Sequence, residues 1–357
     1  MQLTSLTCDG FRCIEHLEFA PAPGVNVIRG GNAQGKTTLL EALLFLVTAR
    51  SHRSTMESEL VRRGGDYFRI QGRFERHEHP LEMEVNWWRG AKRFKVNGVS
   101  QERVSDILGK VNVVFFSPGD VDLVRGPGSG RRRFLDMEIS QLSSRYLHAL
   151  QRYRDVLRQR NEILRRPEPD EAMLDVWDAQ LAEHGEVIRS ERNAFVDGLS
   201  GLAAEAYERV AGGERLNVRY APDVGMDTPL ADALQKSRTA DLKRGVTSRG
   251  PHRDEIELIV AEAPARAYAS QGQQRTAALA LKLAEVTLIR ERAGEYPILM
   301  LDDVLSELDE DRSRRLLEAA PEDVQCFLTT TGLDGARPGW DSSWTEFLIE
   351  AGNLARR

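Results

Sequence analysis

The sequence predicts an α/β protein in which a sheet domain is split along the chain by an inserted helical lobe. Three observations carry this expectation. Residues 25–28 form a short apolar strand pattern that enters a glycine-rich turn and then a helical pattern over 37–49. Residues 298–301 form a second apolar strand, which ends in two carboxylates, Asp302 and Asp303. Between them, over 141–210, apolar residues recur at helical spacing. The expected division is a discontinuous domain at 1–135 and 248–357, with the lobe at 136–247.

A chain of 357 residues has room for about two domains, and 41% hydrophobic against 29% charged positions excludes wholesale disorder. Its longest apolar stretch, 39–47, is broken by Glu41 and falls far short of the roughly 20 residues of a membrane span. The opening residues lack the basic and apolar regions of a signal peptide. Cys8, Cys13 and Cys326 make no metal-ligand or CxxC spacing, and their odd number argues against a disulfide framework. The expectation is a soluble cytoplasmic protein. The net charge of −6 conceals an uneven distribution: residues 125–166 hold eleven Arg and four Asp or Glu, whereas 301–323 hold nine acids and three Arg.

Taken in order, the first 130 residues read mainly as strands with one strong helix. Stretches 67–74, 81–88 and 93–96 are rich in β-formers, and Asn97-Gly98 is a type I′ turn signal, so an antiparallel sheet is expected beside the glycine-rich turn. Residues 111–116 read as a buried strand. Over 141–166, Leu142, Tyr146, Ala149, Tyr153, Val156, Arg160 and Ile163 fall on one helical stripe, which Pro167 and Pro169 end. A second helix is expected over 173–210, with Leu174, Trp177, Leu181, Ile188 and Phe195 as core positions, antiparallel to the first. Gly212-Gly213 and the 222–229 region read as a linker. A strand at 256–260, a long helix at 273–292 and strands at 298–301, 324–328 and 346–349 complete the chain.

Gly30-Gly31-Asn32-Ala33-Gln34-Gly35-Lys36-Thr37 matches the phosphate-loop pattern G-x-x-x-x-G-K-[ST] between a strand and a helix. Consecutive backbone amides wrap phosphates there, glycines permit the close approach, and the helix aims its N-terminus at the anion. Lys36 neutralises β- and γ-phosphates, the Thr37 hydroxyl ligates Mg²⁺, and Thr38 follows in the first helical turn. The expected ligand is ATP or GTP. A buried strand with Asp302 and Asp303 at its C-terminal end complements this loop if the two strands are neighbours in one sheet. Asp302 would then hold Mg²⁺ through water, and Asp303 would orient or deprotonate the attacking water.

Ser270-Gln271-Gly272-Gln273-Gln274-Arg275, at the head of a long helix, resembles the signature motif of ABC-type ATPases, with Gln271 in place of the first Gly of Ser-Gly-Gly-Gln. The resemblance implies that Ser270, Gly272 and Gln273 contact ATP bound by a second copy, so that Lys36 and Asp303 act in a composite site. Ser306-Glu307-Leu308-Asp309 resembles the D-loop of the same interface. A plain helix N-cap also accounts for Ser270.

Within that class the chain resembles the RecF family over nearly its whole length. The residues concerned are Gly10-Phe11-Arg12, the phosphate loop, Phe116-Ser117-Pro118-Gly119-Asp120, Arg131-Arg132-Arg133-Phe134-Leu135-Asp136, Arg249-Gly250-Pro251-His252-Arg253-Asp254, 271–276 and 301–309. Related SMC-type heads carry long coiled-coil arms, which the short insertion here does not provide. The Gln of the Q-loop has no assigned position. The resemblance implies an ATP-dependent DNA-binding protein of recombinational repair. It would dimerise on ATP, bind duplex DNA near single-strand gaps, hydrolyse ATP slowly, act with a RecR-type mediator and help load a RecA-type recombinase, within the SOS response.

Two alternatives fit the residues less well. A transporter ATPase subunit usually has Glu where this chain has Asp303, and His where it has Thr331. A monomeric kinase or GTPase leaves 270–275 without a role. For DNA, Arg154, Arg158 and Arg165 share a helical face, and Lys92, Arg93 and Lys95 form a second basic patch. Arg131, Arg132 and Arg133 suit DNA, phosphate or nearby carboxylates equally. Arg12, His52 and Arg53 are candidates for the nucleotide base by position alone.

Overall fold

The computed structural model describes residues 1–77, 79–211, 214–307, 310–319, 321, 323–332 and 344–357. They fall into two compact units, one of Met1–Asp120, Arg209–Gly213 and Leu279–Arg357, the other of Val121–Glu208 and Glu214–Ala278. Most of the 136–247 stretch falls in the second unit, together with 121–135 and 248–278.

In chain order the first unit begins with β1 (Gln2–Phe11), β2 (Ile14–Phe19), β3 (Val25–Arg29), α1 (Lys36–Thr48), β4 (Tyr67–Arg76), β5 (His79–Trp88), β6 (Ala91–Val96), β7 (Val99–Gln101) and β8 (Val113–Phe116). The second unit holds α2 (Asp122–Arg125), α3 (Gly128–Leu142), α4 (Ser144–Leu164), most of α5 (Glu171–Ala211), β9 (Leu216–Ala221), α6 (Leu230–Arg244), β10 (Glu255–Val260), β11 (Ala263–Pro264) and α7 (Ala265–Tyr268). Then come α8 (Gln271–Ala293), β12 (Ile298–Asp302), α9 (Glu310–Ala319), β13 (Cys326–Thr330), β14 (Thr345–Glu350) and β15 (Asn353–Arg356).

The first unit contains two six-stranded sheets. One is antiparallel, in the order β2-β1-β4-β5-β6-β7. Alternation along β4 buries Phe68, Ile70 and Phe74 and leaves Tyr67, Arg69 and Arg73 outside. Asn97 and Gly98 both have positive φ, at 49° and 79°, as the turn between β6 and β7 requires. The other sheet runs β15-β14-β3-β13-β12-β8 and is parallel except for β15. Helix α1 contacts β1, β4 and β5 of the first sheet and β8, β12 and β13 of the second. It is therefore buried on every side, with only Thr37 of its residues outside the core. That accounts for its nearly unbroken run of Leu, Ala, Phe and Val.

The sheet order corrects one expectation. The phosphate-loop strand β3 and the acidic strand β12 share a sheet, but β13 lies between them, pairing Leu328 with Val27 on one side and with Leu301 on the other. β3 is completed by β14, so the two latest parallel strands flank the earliest.

In the second unit the helix expected over 141–166 starts at Ser144. Ser143 is extended (φ −134°, ψ 106°), and its side chain accepts the Tyr146 amide as an N-cap. The stripe is otherwise as expected: Tyr146, Ala149, Tyr153, Val156, Arg160 and Ile163 are all buried. Helix α5 runs antiparallel to α4, since Arg192 bonds Tyr146 and Asp178 bonds Arg160. The linker reading fails between its two markers. Residues 216–221 alternate and form β9, paired antiparallel with β10; beyond the second marker, 230–244 form α6. Gly212-Gly213 lies outside the described residues.

Candidate functional site

The phosphate loop leaves β3 at Gly30 and enters α1 at Lys36. Gly35 has φ 113°, a value only glycine adopts freely, and caps α1 where no side chain does. At Gly30 the demand is space: an added Cβ would lie 2.4 Å from the Ile349 carbonyl oxygen. The loop's second left-handed residue is Ala33, at φ 60°, so the glycines do not supply every unusual angle. Lys36 is buried, and its Nζ donates to the carbonyls of Gly30 at 2.8 Å and Gly31 at 2.9 Å. Gln34 faces the chain's last hairpin, where its Oε1 accepts the Ala351 amide at 2.6 Å and its carbonyl accepts the Gly352 amide at 2.9 Å.

A cleft of about 710 Å³ opens over the loop. Asn32, Ala33, Gly35, Lys36, Thr37 and Thr38 form one wall, and Asp303, Arg12, Arg53 and Arg63 are among the others. Gly30, Gly31 and Gln34 shape the loop without lining this cleft. An anion is the matching occupant: several cationic side chains converge on the start of a helix that no side chain caps.

Below the cleft, the Thr37 hydroxyl donates to Asp302 Oδ1 at 3.0 Å. Thr329, fully buried on β13, donates to the same oxygen at 2.7 Å and accepts the Asp303 amide at 2.9 Å. Asp303 has φ 50°, and its Oδ1 is buried without a hydrogen bond. Adjacent hydroxyl and carboxylate oxygens suit a hard cation such as Mg²⁺. Among the described residues no group of three or more His, Cys, Asp or Glu could hold a metal. The Thr37 hydroxyl and the Asp302 carboxylate fit the ion that the phosphate loop implies.

Arg12 reaches the cleft from the turn between β1 and β2. Its guanidinium meets both oxygens of Glu41, a fully buried carboxylate on α1, and donates to the Glu59 carbonyl at 3.1 Å. Arg53 lies 3.9 Å from Glu41. His52 does not line the cleft; its ring rests against Phe115 with centroids 4.4 Å apart. Desolvation lowers its pKa, against the charges of Glu41 and Asp302.

Sequence reasoning missed Thr329 and Glu41. Glu41 had a signal, since a lone acid in an apolar helix must find a partner when buried. Thr329 had none, because its role follows from the position of β13.

Ser270 and Gln273 form a reciprocal cap at the start of α8. Gln273 N donates to Ser270 Oγ at 3.2 Å, and Ser270 N donates to Gln273 Oε1 at 2.8 Å. Gln273 also donates to both carboxylate oxygens of Glu214, at 3.0 and 2.9 Å. Ser270 remains exposed. Of the expected D-loop, Ser306 donates to the Asp303 carbonyl at 2.7 Å, while Leu308 and Asp309 lie outside the described residues.

The basic candidates divide. Arg131 is buried and meets Glu255 through two nitrogens, with further bonds to the carbonyls of Leu123 and Gly126, so it stabilises the fold. Arg132 donates to the Asp254 carbonyl at 2.7 Å, and Arg133 is exposed. Arg154 pairs with Asp136 and Arg158 with Asp155, both at 2.7 Å, yet both stay at least half exposed and line a shallow groove with Arg165. Lys92 is tied to Glu57, and Lys95 lies 3.0 Å from Glu84.

Residues 5–114 match a family model described as an AAA domain. The chain is 41% identical over 370 residues to the DNA replication and repair protein RecF of Halalkalibacterium halodurans, covering 100% of both chains. It is 41% identical over 369 residues to the protein of that name from Geobacillus thermodenitrificans, covering 99% of each. A solved structure of the recombination mediator protein RecF with ATPrS in the RecFOR pathway aligns with a TM-score of 0.90 and 34% identity, over 99% of this chain and 98% of that one. An SMC head domain from Pyrococcus furiosus aligns with a TM-score of 0.60 at 15% identity, over 99% and 95% of the two chains, a likeness of fold alone. The fold is that of an ABC-type ATPase head. The transporter alternative finds no support among these relatives, and no described helix is long and apolar enough to cross a membrane.

Proposed function

This chain belongs to the RecF family, and on that premise we propose that it is an ATP-driven DNA-binding protein of recombinational repair, working in the cytoplasm. The observation that carries the reading is the contact of Thr37 with Asp302 beneath a cationic cleft. ATP lies in that cleft. The loop amides and Lys36 grip its phosphates, and Thr37 with Asp302 holds Mg²⁺, which when bound supplies positive charge to the phosphate oxygens. Asp303, turned toward the cleft, orients the attacking water and accepts its proton. Its reach is one methylene shorter than that of Glu, so turnover is slow.

The exposed Ser270 and the first turn of α8 present a second anion-binding surface, which supports closure of two copies over ATP, with Ser270, Gly272 and Gln273 of one facing the phosphates of the other. Under this reading the ATPase domain comprises 1–135 and 248–357, and the lobe at 136–247 carries Arg154, Arg158 and Arg165 for contact with duplex and gapped DNA. A RecR-type mediator and the loading of a RecA-type recombinase complete the proposed role. The RecFOR pathway named for the structural relative supports this part.

The test is steady-state ATP turnover against protein concentration, with and without a short duplex. Specific activity should rise with both. Lys36→Arg should lose nucleotide-dependent dimerisation, and Ser270→Arg should bind ATP yet fail to dimerise. Activity independent of concentration and duplex would leave a monomeric nucleotidase and overturn the proposal.

A further inference from the structure

Thr329 stands at the junction of the two acidic residues. β13 carries it in register with Ile28 of the phosphate-loop strand and with Asp302 of the acidic strand. A hydroxyl has one proton to give and two lone pairs to receive with. A carboxylate can only accept and an amide only donate, so both bonds have a fixed direction: Thr329 gives its proton to Asp302 and receives that of the Asp303 amide. The left-handed backbone of Asp303, φ 50°, is unusual for a residue with a side chain and persists only where its surroundings impose it. Thr329 on its amide and Ser306 on its carbonyl impose it here.

We propose that Thr329 is a positioning residue of the nucleotide site, fixing Asp302 against Thr37 and Asp303 toward the cleft so that the divalent-cation site is set before nucleotide arrives. The inference rests on reading the cleft as a Mg²⁺–ATP site. Asp302 Oδ1 accepts from Thr37 and Thr329 together. The Thr37 hydroxyl can turn a lone pair to a cation and still give Asp302 its proton, but it then serves two partners, and Thr329 is the donor that serves the carboxylate whether or not a cation is bound. Loss of the Thr329 hydroxyl leaves Asp302 with the Thr37 bond alone and the part-buried Asp303 amide without its acceptor.

The test uses the full chain and the near-isosteric Thr329→Val, with Thr329→Ser as the rescue. Binding of a fluorescent ATP analogue is followed in EDTA and across a Mg²⁺ titration, and kcat and KM are read in parallel. Thr329→Val should raise the Mg²⁺ concentration at half-saturation about tenfold to a hundredfold, the worth of a hydrogen bond to a charged group. It should lower kcat more than it raises KM and leave binding in EDTA unchanged, and Thr329→Ser should restore all three. A merely structural role would move binding in EDTA with the rest. A Thr329→Val protein with the wild-type Mg²⁺ midpoint overturns the inference alone, whereas a wild-type chain that binds no nucleotide overturns the reading it rests on. If Thr329→Val does not fold, Thr329→Cys, a much weaker donor, is read against the same midpoint.

Discussion

Arg12 and Glu41 meet at two points, Arg12 Nε on Oε2 at 3.0 Å and Nη2 on Oε1 at 2.8 Å. The pair ties the first turn of the chain to the helix that starts at the phosphate loop. Glu41 has no access to solvent, and Ser51 supplies its other close bond, at 2.5 Å. Removing the cation strands a charge in the core, whereas neutralising the acid does not. Arg12→Ala should cost about 3 kcal/mol in urea unfolding, and Glu41→Gln distinctly less. Equal costs would mean that the pair does not hold α1.

A second buried cation organises the helical unit. Arg192 lies 2.8 Å from both Asp136 and Asp254, and it also bonds the Tyr146 hydroxyl and the Pro251 carbonyl. Tyr220 adds its hydroxyl to Asp254. Arg192→Met keeps the volume but leaves two buried carboxylates facing each other. The expected loss is about 3–5 kcal/mol, read from the shift in urea midpoint. Adding Asp136→Asn and Asp254→Asn should recover part of it, and no recovery would refute the electrostatic account.

His252 gives the helical unit an acid sensitivity. Its Nε2 faces the Thr247 carbonyl at 3.1 Å, so that nitrogen carries the proton, and Nδ1 accepts from the Tyr153 hydroxyl at 2.7 Å. Burial lowers its pKa below the ordinary 6.5; the Thr247 carbonyl opposes this, Arg253 reinforces it, and Asp223 and Asp254 oppose it. The folded state therefore binds its proton less readily than the unfolded state. The stability this contributes is complete above about pH 6.5 and is lost as pH falls through the depressed folded value. The melting temperature of wild type should fall between pH 7 and pH 5, and that of His252→Gln should fall less. Parallel curves would remove His252 from the explanation.

How much could be read from the sequence differs by kind of information. The phosphate loop and the pairing of Asp302 and Asp303 at a strand end beside it were legible because each is written in adjacent residues. The α4 stripe was legible too, including Arg160 as a core position. What the stripe could not supply was the reason an arginine is tolerated there, namely Asp178 at 2.5 Å and Asp241 at 2.8 Å, contributed from far along the chain. The break at Ser143 was missed because one extended residue does not disturb the spacing on either side. β9 was missed because its partner β10 follows only after α6. Thr329 lay in a run of three threonines that reads as an ordinary strand end. Only the order of strands distinguishes it.

That order has a consequence for the nascent chain. β3, with Val25, Val27 and Ile28, leaves the ribosome early, yet both of its edges wait for Cys326–Thr330 and Thr345–Glu350. Until those segments emerge, an apolar strand with open edges is exposed to other chains, and parallel pairing across such a separation forms slowly. The half-made molecule has every residue of its phosphate loop and the strand that leads into it, but neither of the strands that flank that strand. A ligand of that loop therefore stabilises only the finished fold, and chaperones that shield open strand edges would act on this chain before such a ligand can.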